Sequence, residues 1–60
     1  MRRYTKGDYF ENHRGEYMLI DRKRGWNRNV YYLKVLRHEN ERMVGKIIQP
    51  DSLSNYTRID

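Results

Sequence analysis

"NVYYLKVL", residues 29 to 36, decides the fold. It opens with Val30, Tyr31 and Tyr32, side chains that are β-branched or aromatic and fit a pleated strand better than a helix. In an extended chain Tyr31, Leu33 and Val35 share one face, and Val30, Tyr32, Lys34 and Leu36 share the other. Both faces are partly apolar, which suits a bent strand serving both sheets of a small barrel better than a flat, one-sided sheet. The competing pattern is a helix over 30 to 48, with Leu33, Leu36, Asn40, Val44 and Ile47 on one stripe. Gly45 inside that stripe, and the polar run "RHENE" at 37 to 41 where an apolar face should continue, favour the strand.

Outward from this strand the chain reads as strand-length apolar runs separated by turns. "DYFEN" (8 to 12) and "EYMLID" (16 to 21) precede it, and "RMVGKII" (42 to 48) follows. "HRG" between the first two offers Gly15 for the positive φ of a tight hairpin, and "RKRGWNR" offers Gly25 and Asn27 as turn residues. Pro50 ends the fourth run, Asp51 and Ser52 offer caps for a single helical turn, and "YTRI" supplies a fifth strand. No repeat or linker divides the sequence, so residues 1 to 60 read as one small β domain.

A chain of this length buries only about 60% of its unfolded surface, so its core is thin. There is no cysteine to staple that core or to bind a metal as thiolate. "MRRY" is not followed by an apolar export segment, and no run has the length of a membrane span, so the expectation is a cytoplasmic protein with no membrane association. The formal charge is +5, and the excess is uneven: residues 1 to 30 hold eight Lys/Arg against four Asp/Glu, residues 31 to 60 five against four. Such a balance favours polyanionic partners.

Five short strands with a helical turn before the last resemble a Src-homology-3-like small β-barrel. "SNY" at 54 to 56, ahead of a short β-prone segment, is similar to the closing motif of that family, and "KGD" at 6 to 8 suits the opening strand of such barrels. The resemblance implies an all-β, five-stranded barrel with a single helical turn before the last strand. It does not carry over proline-motif binding: "ENHRGE" is too short for the family's acidic first loop, and "NVYY" lacks its paired tryptophans. Only Pro50, Tyr56 and Trp26 remain for such a groove. In order and spacing, "KGDYFENHRGEYMLID", "NVYYLKVL" and "LSNYTRID" are also similar to small β modules that accompany HNH-type endonucleases in phages and mobile elements. That similarity implies an accessory DNA-binding role without cleavage.

Catalytic chemistry finds little support. Ser52 and Ser54 lie in no nucleophile elbow, and capping a turn is the simpler role for them. His13 and His38 lack a second ligand at metal-binding spacing, and in "HENER" the position of a zincin's second histidine holds Arg42. Glu39 and Glu41 suit a solvated turn better than a glycosidase pair. The expectation is a non-enzymatic protein with no metal and no cofactor.

What remains is basic and aromatic. Arg22, Lys23, Arg24, Trp26 and Arg28 fall within one segment read as a loop, with Arg2, Arg3, Tyr4 and Lys6 at the N-terminus. Clustered cations bind phosphates, and an exposed indole stacks on bases. Trp26 has two open placements, a lid on the core or a contact residue, and Gly25 and Asn27 beside it fit exposure. The leading expectation is a module that binds DNA or RNA through this segment. The alternative is a phage or mobile-element protein-interaction module that binds and modulates a host protein through the aromatic strands. A third is a small homo-oligomer that completes its core by association.

Overall fold

The computed structural model describes residues 4 to 59, which form one five-stranded antiparallel sheet. The strands are β1 (Tyr9–Asn12), β2 (Gly15–Arg24), β3 (Asn29–His38), β4 (Ile47–Ile48) and β5 (Thr57–Ile59), in the order β4-β3-β2-β1-β5. The all-β class and the five strands agree with the sequence reading. The sheet is not closed, since β4 and β5 lie at opposite edges, and "barrel" describes it only loosely.

Two connections differ from expectation. The helical turn expected before the last strand lies one connection earlier, as a 3-10 turn at Glu41–Met43, where the Asn40 side chain accepts from the Arg42 amide at 3.1 Å. It occupies the first half of the "RMVGKII" run, leaving only Ile47 and Ile48 as strand. Before β5 there is instead a reverse turn closed by Tyr56 N–H donating to the Leu53 carbonyl at 3.1 Å. Ser52 serves that turn as the sequence suggested: its Oγ lies 2.9 Å from Ser54 Oγ and accepts from the Ser54 amide at 3.4 Å.

Gly15 is needed for a reason other than positive φ, which among the glycines belongs to Gly7 and Gly45. A Cβ on Gly15 would fall on the Arg37 carbonyl of the neighbouring strand. The β1–β2 turn is made instead by Asn12, whose Oδ1 accepts from the amides of Arg14 (2.9 Å) and Gly15 (3.0 Å) and from the Tyr17 hydroxyl (3.1 Å).

One face of the sheet carries the core. Phe10, Tyr17, Leu19, Leu33, Val35 and Leu53 are buried, with Tyr4, Tyr31, Met43, Ile48 and Tyr56 packed around them. Of the two faces that alternation gives β3, the one with Leu33 and Val35 is the core, with Tyr31 at its margin, and the strand serves one sheet rather than the two that its partly apolar faces suggested. Aromatic rings close it at two ends: Tyr4 meets Phe10 and Tyr31 edge-on at 5.6 and 5.7 Å, and Tyr17 meets Tyr56 at 5.2 Å. Asp8 and Arg58 form a half-buried ion pair near Tyr4, with the guanidinium 5.9 Å from that ring.

Two register shifts bend the central ladder. Leu36 is the extra residue where Glu16↔Arg37 gives way to Tyr17↔Val35, and Ile20 is the extra residue between Leu19↔Leu33 and Asp21↔Tyr32. Such bulges add twist and re-aim the residues beyond them. Strand β2 also runs three residues past the expected end, through Arg22, Lys23 and Arg24. Among the described residues, Asp21–Arg24 and Asn29–Tyr32 have only each other as ladder partners, because β1 meets β2 no farther than Met18 and β4 meets β3 no nearer the turn than Leu33. The far half of the β2–β3 hairpin is thus a two-stranded arm extending from the five-stranded body.

Candidate nucleic-acid interface

The arm contains four cations against one acid within residues 21 to 32. Its turn is short. Gly25 N–H donates to the Arg28 carbonyl at 2.6 Å, leaving Trp26 and Asn27 at the apex. Neither takes positive φ, so this is not the primed two-residue turn that selects Asn-Gly. Gly25 is required by proximity, since a Cβ there would lie 2.6 Å from the Arg28 carbonyl oxygen.

Trp26 is 98% exposed, which decides between the two placements the sequence left open. It is not a lid on the core. Around it the turn forms a concavity of about 430 Å³ lined by Arg24, Gly25, Trp26, Asn27, Arg28 and Asn29. Two guanidinium side chains and an uncovered indole therefore share one end of the molecule.

The segment read as a single basic loop is mostly strand, and this distributes its charges. Arg22 pairs across the ladder with Tyr31, and its Nη1 donates to the Tyr4 carbonyl at 3.3 Å. That places Arg22, and Arg24 two residues on, on the face where Tyr4 and Tyr31 extend the core. Lys23 points to the opposite face, where its ammonium lies 5.6 Å from the centre of the Tyr32 ring. Arg28 reaches sideways to Asp51 at 3.6 Å, and Lys6 pairs with Asp21 at the same distance. Both pairs are largely solvated, and such pairs contribute about 0–1 kcal/mol, so a phosphate can displace either acid. Among the described residues, Lys23 and Arg24 have no acidic partner.

The structure thus brings Arg22, Lys23, Arg24, Trp26 and Arg28 together on the arm, with Lys6 beside its base. Arg2 and Arg3 lie outside the described residues. Sequence reasoning missed Tyr32 as the ring beneath Lys23 and Asp51 as the counter-ion of Arg28. Neither signal is local: the Ile20 bulge moves Lys23 off the face that alternation from Leu19 would give it, and nothing near residue 51 signals its partner across the molecule.

The other candidates have structural roles. His38 Nδ1 accepts from the Asn40 amide at 3.0 Å, and its ring lies 6.3 Å from that of Tyr17. Glu39 pairs with Arg14 at 3.7 Å. Glu16 accepts from Arg37 Nε at 2.9 Å, a hydrogen bond that raises the guanidinium pKa above its ordinary value. Tyr56, weighed above for a peptide groove, packs on the core instead, and burial followed by the Tyr17 phenol raises its pKa. Among the described residues there is no cluster of three or more potential metal ligands, and no helix long and apolar enough to cross a membrane. The chain has no match among known protein families, curated proteins or solved structures.

Proposed function

We propose that this protein is a non-enzymatic nucleic-acid-binding module whose contact element is the basic arm tipped by Trp26. The observation that carries the reading is the exposure of that indole at the apex, between Arg24 and Arg28. Leaving a large apolar ring in water forgoes on the order of 2–3 kcal/mol of burial, a substantial loss for so thin a core. A base or base edge covers such a ring while phosphates engage the cations around it. The test is a fluorescence-anisotropy titration of labelled DNA and RNA oligonucleotides across a salt series. Affinity should fall linearly with salt on logarithmic axes, and Arg24→Ala should make the slope shallower by about one unit. No binding of either nucleic acid at low salt would end the reading.

A second reading, a module that docks on another protein, draws on a different surface. On the face opposite the core, Ile47, Lys34, Met18, Tyr9 and Ile59 form a continuous cross-strand row through all five strands. Ile47 and Tyr9 are 57% and 49% exposed. Four apolar members in one row, two of them exposed and two half-buried, fit a protein surface. Under this reading, Tyr9→Ser with Ile47→Ser abolishes capture of a specific protein from nuclease-treated lysate, and Trp26→Ala leaves that capture unchanged.

A further inference from the structure

The arm's charges differ from those of a flat binding sheet in one respect: they project from both of its faces. Arg22 and Arg24 project on the Tyr31 side and Lys23 on the Tyr32 side, with Trp26 at the end between them. A sheet laid against a nucleic acid uses cations on one face only. A ribbon inserted tip first between two phosphate backbones uses both.

We infer that the arm enters the major groove of B-form duplex DNA tip first, with Arg24 and Lys23 reaching the phosphates on opposite walls and Trp26 meeting base edges at the floor. This rests on the nucleic-acid reading above and narrows it. The dimensions agree. Four strand residues rise about 13 Å, more than the roughly 8.5 Å depth of the major groove, and a groove about 12 Å wide admits a two-stranded ribbon. Neither edge of the arm has a ladder partner among the described residues, and the side-chain contacts that flank it, Arg22 with the Tyr4 carbonyl, Lys6 with Asp21 and Arg28 with Asp51, are solvated ones that a phosphate can replace. The deep, narrow major groove of A-form RNA excludes a ribbon with side chains on both faces, so the inference separates DNA duplex from RNA duplex. The indole then lies against the apolar surface that groove offers, the thymine methyl groups.

The experiment compares a labelled 20-base-pair DNA duplex, its RNA counterpart and the corresponding single strand, using the full chain. Duplex DNA should bind at least about tenfold more tightly than the other two. Lys23→Glu and Arg24→Glu should each weaken duplex binding by about tenfold or more, and methyl green, a major-groove ligand, should displace the protein where netropsin, a minor-groove ligand, does not. Both substitutions are at exposed positions outside the core, and near-ultraviolet circular dichroism checks that each variant is folded. Loss of binding from only one of the two charge reversals, or displacement by netropsin alone, overturns groove entry. Preference for single strands overturns it while leaving the broader nucleic-acid reading in place, and absence of binding to all three ends both.

Discussion

Trp26 and Gly15 show how differently two residues can be constrained in so small a chain. The indole meets solvent almost entirely, so its removal should leave the fold intact. Trp26→Ala is expected to shift the urea midpoint by less than about 0.5 kcal/mol equivalent, as for surface sites generally. On the proposed function it weakens nucleic-acid binding by roughly 1–3 kcal/mol, measured by anisotropy on the same sample. Gly15 behaves in the opposite way. Its missing side chain lets β3 approach at the Arg37 carbonyl, so Gly15→Ala forces the two strands apart. A cost of about 1–3 kcal/mol in urea denaturation is expected, as for overpacked cores. From sequence alone Gly15 was legible as special, but the reason was not: its constraint comes from the neighbouring strand, which lies 22 residues away at Arg37.

At the scale of elements, the β2–β3 ladder holds the molecule together, and its centre is the buried pair Leu19↔Leu33. Leu33→Ala should destabilise by about 2–5 kcal/mol, since the cavity opens beneath the point where β4 joins the sheet. For a domain this small, near-complete unfolding at 37 °C is the expected readout by circular dichroism. The composition of "NVYYLKVL" was enough to identify β3, but alternation only separated Tyr31, Leu33 and Val35 from Val30, Tyr32, Lys34 and Leu36, and with both sets partly apolar it did not say which faced the core. The basic segment was misread as a loop because charged residues and Gly25 conceal a strand that has a partner on one side only. The Ile20 bulge was also invisible. Strict alternation from Leu19 would send Lys23 toward the core face, whereas the extra residue sends Arg22 there instead. The "RMVGKII" run is apolar enough for a strand, yet the Asn40 cap on the Arg42 amide commits its first half to a 3-10 turn.

For the whole molecule, stability is concentrated in one apolar layer beneath one sheet, and a single titrating group reports on it. The Tyr56 phenol packs on that layer, and burial, followed by the Tyr17 phenol, holds its pKa above the ordinary value near 10. A folded-state pKa above the unfolded one means that the folded protein holds its proton more tightly. The contribution is complete below about pH 10 and is lost as pH rises through the folded value. Urea midpoints should therefore fall above pH 10, and Tyr56→Phe should fall less steeply over the same range. The five-strand class follows from the spacing of apolar runs and turn residues. Whether the sheet closes depends on how far β4 and β5 lie apart, and two strands of two and three residues contain too little pattern to show that.

The arm's lack of outside ladder partners also makes its reach adjustable. Side chains in a strand repeat every two residues, so two residues added to each of its strands return every existing side chain to its own face. The tip would move outward by about 7 Å while the layer around Leu19 and Leu33 stays as it is. A chain built this way can change the reach of its arm without re-solving the problem of folding.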